Sequence, residues 1–460
     1  MSLFRTMRST LRNQVKLGLV IAATIVLVGL PGCFGLSEAE ERYNNGVILM
    51  QEGRFQEAIA EFDNAILLDQ SLAAAFHNRA LAKESIGRLA EAIKDYTQSI
   101  KLEPDLALAY ANRGGAHNKL GEFQSAVNDL NQAVRLDDKS AMAYTGRGLA
   151  LLNLGNVDDA LTSLDQAIDL DVEYFPAYAN RGIVHAQLGE TQLALSDYNR
   201  AIQLNPDYGP AYRNRGFEYL AQGEPELAIA DLNRTIEIEP GLPSSYVNRG
   251  LAHASLGNLN SAVEDYGRAI SVDPTYLDAY ITRGSTFDDM GRFEEAISDY
   301  ATALQLAPDS PTLYFNRGAS YHANGDLPKA RADFEKAVML DPNSAAAWYN
   351  LGVAHQDLGE LDRAVTDYDQ AIAIDPENIN SLVNRALVNS TLGNHSLAVA
   401  DMDRVVEIDP TYAKGYLVRA NAFAKLGLEA MSQADIDRAV ALGVDRARAE
   451  MSISEPTPSP

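Results

Sequence analysis

The sequence predicts an all-α chain in which twelve helix-turn-helix units of 34 residues stack into a solenoid. Three observations carry that expectation. Glycine recurs at Gly53, Gly87, Gly121, Gly155, Gly189, Gly223, Gly257, Gly291, Gly325, Gly359, Gly393 and Gly427, every interval being 34 residues. Alanine follows five residues later in eleven units, from Ala58 to Ala398, with Ser432 in the last. An aromatic precedes the glycine by eleven in ten units, as at Phe76, Tyr110, Trp348 and Tyr416.

The chain opens with a different kind of segment. Arg5, Arg8, Arg12 and Lys16 come before an uncharged apolar run from Leu17 to Leu30. A membrane-spanning helix needs about 20 residues, so this run suits the apolar region of a secretory signal better. Cys33, the single cysteine, follows Leu30-Pro31-Gly32 and has no internal disulfide partner. That order resembles the lipobox of bacterial lipoproteins, with Pro31 where alanine or serine is usual. The resemblance implies a signal peptide over 1–32, lipid on Cys33 and a linker over 33–38. It also implies a place in the bacterial cell envelope. Phe34, rather than aspartate, after the cysteine resembles cargo of the outer membrane, facing the periplasm.

The repeats occupy residues 39–446. Ser37-Glu38-Ala39-Glu40 fits a capping box that opens the first helix. Within each unit the glycine supplies a left-handed turn residue between two antiparallel helices. Pro225 and Pro328 fit the first turn of a second helix, where no amide hydrogen is needed. Pro104, Pro206, Pro240, Pro274, Pro308, Pro342, Pro376 and Pro410 stop second helices. Small residues seven before the turn, such as Gly46, Ala80 and Gly114, let the helix backbones approach. Residues 447–452 read as a short capping helix, and the proline-rich 455–460 as a tail with nothing to pack.

The large aromatic, the small residue four later, the alanine, the ring or aliphatic of Phe62, Tyr96 and Leu130, and the closing proline together resemble the tetratricopeptide repeat (TPR) motif. The resemblance implies a right-handed superhelix whose first helices line the concave face. It further implies that the chain binds other proteins and is not an enzyme. Asparagine stands at Asn44, Asn78, Asn112, Asn180, Asn214, Asn248, Asn316, Asn350 and Asn384, in one column of the first helices. A row of primary amides can pair with the backbone of an extended peptide, and it resembles the asparagine ladder of peptide-binding superhelices.

Two apolar columns flank the asparagine, one residue before it and three after. The first includes Ala111, Ala179, Val247, Ile281, Phe315, Tyr349, Val383 and Leu417; the second includes Val47, Leu81, Leu149, Ile183, Phe217, Leu251, Val353 and Leu387. The lysines and asparagines of a terminal-carboxylate clamp are missing from these columns, apart from Arg213 and Asn421. A groove for an extended or helical protein segment fits better, with part of the apolar set serving as inter-repeat core. Arginine stands next to the asparagine column in ten units, with aspartate sixteen residues later in nine of those ten. Structural Arg–Asp pairs are expected there.

Net charge is −25, which repels phosphate backbones and excludes nucleic acid as a partner. His117, His185, His253 and His355 share one column, but neighbouring units hold them too far apart for a common metal. No H-E-x-x-H, paired-cysteine, G-x-S-x-G or phosphate-cradling motif occurs. No catalytic residue, metal or cofactor is therefore expected. The reading is a lipid-anchored scaffold or adaptor for envelope proteins. The alternative is a non-catalytic regulatory or substrate-delivering subunit of an envelope protease, transferase or cell-wall hydrolase, or of pilus or secretion machinery.

Overall fold

The computed structural model describes residues 36–454. The signal segment, Cys33 and the proline-rich tail lie outside these residues. Among the described residues there are twenty-five helices and no strand, divided between a body ending at Pro240 and a body beginning at Gly241.

The first body holds six hairpins. Its helices are α1 (Glu38–Gln51), α2 (Phe55–Leu68), α3 (Ala73–Ser85), α4 (Leu89–Leu102), α5 (Ala107–Lys119) and α6 (Phe123–Leu136). They continue with α7 (Ala141–Asn153), α8 (Val157–Leu170), α9 (Phe175–Gln187), α10 (Thr191–Leu204), α11 (Gly209–Ala221) and α12 (Pro225–Ile238). The second body runs through α13 (Pro243–Ser255), α14 (Leu259–Val272), α15 (Leu277–Asp289), α16 (Phe293–Leu306), α17 (Pro311–Ala323) and α18 (Leu327–Leu340). It ends with α19 (Ala345–Asp357), α20 (Leu361–Ile374), α21 (Ile379–Thr391), α22 (His395–Ile408), α23 (Ala413–Lys425), α24 (Glu429–Ala441) and α25 (Arg446–Ser454). Odd-numbered helices up to α23 are first helices, even-numbered ones their partners, and α25 packs against both α23 and α24.

Local chemistry accounts for the element ends. Ser37 Oγ accepts from the Glu40 amide at 3.3 Å, and the Ser37 amide donates to Glu40 Oε2 at 2.8 Å. That reciprocal pair starts α1. At the hairpin turns the twelve glycines hold φ between +70° and +82°. The residue after each glycine reaches back to the last carbonyls, as Arg54 N does to Leu49 O at 2.9 Å.

The ends of the second helices follow a rule that proline alone does not give. Helix α6 stops at Leu136 although no proline follows, and Asp137 takes an extended conformation with φ −136° and ψ 96°. Asp137 Oδ1 accepts from the Lys139 amide at 3.1 Å, an Asx turn that competes with another helical step. Asp69 and Asp171 do the same at the other two inter-unit stops that lack the proline. Conversely Glu103, Glu239 and Ala307, which cannot make this turn, each precede a proline. Every inter-unit stop thus carries an Asx turn, a proline or both.

Packing inside a hairpin depends on absent side-chain volume. Phe62, Tyr96, Leu130, Leu164, Tyr198, Leu232, Tyr266, Tyr300, Phe334, Tyr368 and Met402 are buried almost completely on the second helices. The small residue of the first helix lies directly against them. A β-carbon on Gly250 would stand 2.5 Å from Tyr266 Cε1, and one on Gly46 2.5 Å from Phe62 Cε1. Only glycine or alanine lets the two backbones sit this close.

Candidate functional site

Within each body, successive first helices approach one another, as α5 does α7, α7 does α9, α13 does α15 and α21 does α23. Among the described residues no successive second helices make a comparable approach. The first helices therefore form the inner row of each body, and the asparagine column runs along it.

That column divides into three groups. Asn78 Nδ2 donates to Tyr43 Oη at 2.9 Å, Asn112 Nδ2 lies 3.2 Å from His77 Nε2, and Asn384 Nδ2 donates to Tyr349 Oη at 3.2 Å. Each partner stands 35 residues earlier, on the preceding first helix. Asn180 and Asn350 turn back on their own helices, to Pro176 O and Ala346 O, both at 2.9 Å. Asn44, Asn214, Asn248 and Asn316 are half-buried, and their side chains make no hydrogen bond among the described residues. The nine residues are not one uniform ladder.

The apolar columns also separate. Ala111, Ala179, Val247 and Val383, ahead of the asparagine, are buried in the core. In the other column Val47 and Leu81 are buried, whereas Phe217 is 59% exposed and Leu251 41% exposed. The open apolar surface of the inner row is therefore carried by the residue one turn after the asparagine. Arg213, an exception in the first column, faces Glu239 with Nη1 and Oε2 3.6 Å apart. Asn421 is buried.

The arginine column is structural. All nine expected pairs form with two contacts each, as Arg283 Nε and Nη2 reach Asp299 Oδ2 and Oδ1 at 2.7 Å. Several arginines extend further, to the second helix of the preceding unit. Arg79 Nη1 reaches Asp63 Oδ1 at 2.6 Å, Arg181 Nη1 reaches Asp165 Oδ1 at 2.7 Å, and Arg419 Nη1 reaches Asp403 Oδ1 at 2.7 Å. Each of these arginines clips three helices. The aromatic three residues earlier lies beneath the guanidinium, with Arg147 4.8 Å from the Tyr144 ring centre. Sequence reading missed the second acceptor, although its signal is present: an acidic or amide residue sixteen before the arginine.

The histidine column supports these pairs. His117 Nδ1 meets Glu122 Oε2 at 2.5 Å and His185 Nδ1 meets Glu190 Oε2 at 2.7 Å. Lys83, in the same column, lies 2.7 Å from Asp95 Oδ2. Burial pushes the carboxyls of Asp367 and Asp401 above the ordinary aspartate value, against the opposing pull of His355 and Arg385. Among the described residues no three His, Cys, Asp or Glu side chains cluster to hold a metal ion, and no helix is long and apolar enough to cross a membrane.

The family models that match the chain agree on one family. A model described as tetratricopeptide repeat matches residues 175–208, 243–276 and 345–378. A second of that description matches 107–140, 141–172 and 379–412, and one described as TPR repeat matches 85–121, 284–325 and 320–359. Curated proteins gave no match. Among solved structures, a crystal structure of MamA is 24% identical, covering 36% of this chain and 96% of that one, with a TM-score of 0.35. MamA 41-end from Desulfovibrio magneticus RS-1 is 22% identical over 37% of this chain and 96% of that one, TM-score 0.35. A chain of the APC/C hetero-tetramer Cut9–Hcn1 is 13% identical over 91% of this chain and 96% of that one, TM-score 0.42.

Proposed function

Because this chain belongs to the tetratricopeptide repeat family, we propose that it is a non-catalytic scaffold, lipid-tethered through Cys33, that holds extended or helical segments of other proteins against its first helices. One observation carries the binding reading. The inner row of the first body leaves Phe217 exposed close in sequence to Asn214, and that of the second leaves Leu251 exposed close in sequence to Asn248, and neither amide makes an internal hydrogen bond. Apolar anchors beside free backbone-pairing groups suit a polypeptide segment. Net charge of −25 speaks against nucleic acid.

The tether rests on the resemblance of the sequence around Cys33 to a lipobox, and Phe34 after the cysteine supports the reading that the scaffold sits in the bacterial cell envelope, on the periplasmic side of the outer membrane. Membrane fractionation tests it: Cys33→Ser should move the protein to the soluble fraction, and retention in the membrane would defeat the tether. For the binding face, Asn214, Asn248 and Asn316 are replaced together by alanine. Capture of partner proteins from envelope extract should fall severalfold at unchanged helicity. Undiminished capture would remove these amides from the contact surface.

A further inference from the structure

Two columns of the inner row are broken side by side. The fourth unit has Gly146 where nine units have asparagine, and the third has Gly115 where eight units have valine, leucine, isoleucine or phenylalanine. Both glycines line one cavity of about 530 Å³ in the first body. Leu81, Ala111, Met142 and Leu149 give it apolar walls, while Asn118 and Thr145 add polar atoms.

Those polar atoms are incompletely used. Thr145 is 6% exposed, and its Oγ1 has no hydrogen-bond partner. Asn118 donates from Nδ2 to Gly146 O at 2.8 Å, but its buried Oδ1 accepts nothing. A buried amide oxygen and hydroxyl without partners are costly to keep unless something else supplies them. The charged rim is self-neutralised, Lys119 Nζ lying 2.9 Å from Glu84 Oε1. Nothing here holds an ionised ligand, and the chain's net charge of −25 disfavours acidic segments throughout.

We propose that this cavity is an anchor subsite for one bulky apolar side chain of an extended, neutral or basic segment of a partner protein. The segment's backbone N–H donates to Asn118 Oδ1, and a neighbouring backbone group pairs with Thr145 Oγ1. An extended chain offers one donor and one acceptor per residue, and alternate side chains point to opposite faces, so a single anchor can enter while its neighbours stay outside. The subsite rests on the reading of the first helices as the protein-binding face, and it adds what that face selects.

Panning a phage-displayed library of random linear peptides on the full chain tests it, with two variants. A β-carbon at Gly115 meets nothing within 4 Å, so Gly115→Leu obstructs part of the cavity with a side chain the repeat already uses. Thr145→Val keeps the shape and removes the hydroxyl. Recovered peptides should share one large apolar residue with neutral or basic flanks. They should bind Gly115→Leu at least about tenfold more weakly, and Thr145→Val more weakly too, with both variants melting no lower than the parent. Peptides that bind both variants as well as the parent would overturn the subsite and leave the wider face standing. Recovery of no peptide would overturn both.

Discussion

His355 Nδ1 lies 2.5 Å from Asp367 Oδ2, in the unit where leucine at 351 replaces the arginine that otherwise holds this aspartate. Asp367 keeps its place on the second helix, buried as in the other units, and the histidine one turn further along the first helix supplies the missing donor. Removing that donor leaves a buried carboxylate uncompensated, which costs about 3 kcal/mol. His355→Phe, using a residue found in the same column at Phe287 and Phe423, should therefore lower thermal stability substantially. Adding Leu351→Arg should recover most of the loss by rebuilding the pair seen in nine other units. If the double variant melts no higher than the single one, histidine and arginine are not interchangeable partners for this aspartate.

The helical period and the glycine interval were enough to place the hairpins, because a left-handed turn residue and a 34-residue repeat leave little else possible. What escaped was anything that depends on the neighbouring unit. Ala111 and Phe217 belong to columns four residues apart, which spacing alone puts on one face of the first helices, yet Ala111 is buried on α5 and Phe217 exposed on α11. Period alone does not record what the adjacent helix covers. The asparagines show the same limit with a recoverable signal: Asn78, Asn112 and Asn384 bond across units where tyrosine or histidine stands 35 residues earlier, and Asn180 and Asn350 do not. The Asx turns were overlooked because proline is the louder stop signal.

Glycines of two kinds should respond oppositely to alanine. At Gly250 the new methyl would meet Tyr266 Cε1 at 2.5 Å, and overpacking of this sort costs about 1–3 kcal/mol. At Gly115 the same methyl meets nothing within 4 Å, and alanine gains roughly 1 kcal/mol of helix propensity. Thermal unfolding followed by circular dichroism should show Gly250→Ala melting below the parent and Gly115→Ala at or above it. Equal shifts would mean that helix propensity, rather than the second-helix ring, governs the small-residue column.

The double stop between units makes aspartate substitutions unequal. Asp171 ends α8 with no proline behind it, its Oδ1 accepting from the Glu173 amide at 2.9 Å. Asp375 makes the same turn to Glu377 at 3.3 Å, but Pro376 already bars the helix from continuing. Asp171→Ala should lose about 1 kcal/mol, and Asp375→Ala distinctly less. The comparison needs only the two single variants and one melting curve each. A larger loss at Asp375 would refute the redundancy.

Acid should expose His77. Its imidazole is 4% exposed, edge-on to Tyr96 with ring centres 5.5 Å apart, and burial pushes its pKa from the ordinary 6.5 down to about 4. Between those values the unfolded chain binds a proton at this position that the folded chain refuses, so stability falls as pH drops from 6.5 towards 4. Above 6.5 both states are neutral there, and the full contribution is present. The interval corresponds to about 3 kcal/mol at roughly 1.4 kcal/mol per unit. His77→Phe, following Phe315 in the same column, loses the bond to Asn112 at every pH but has no proton to gain. The difference in stability between parent and variant should therefore shrink or reverse on acidification through that window. A difference that stays constant from pH 7 to pH 4 would show that His77 titrates alike in both states.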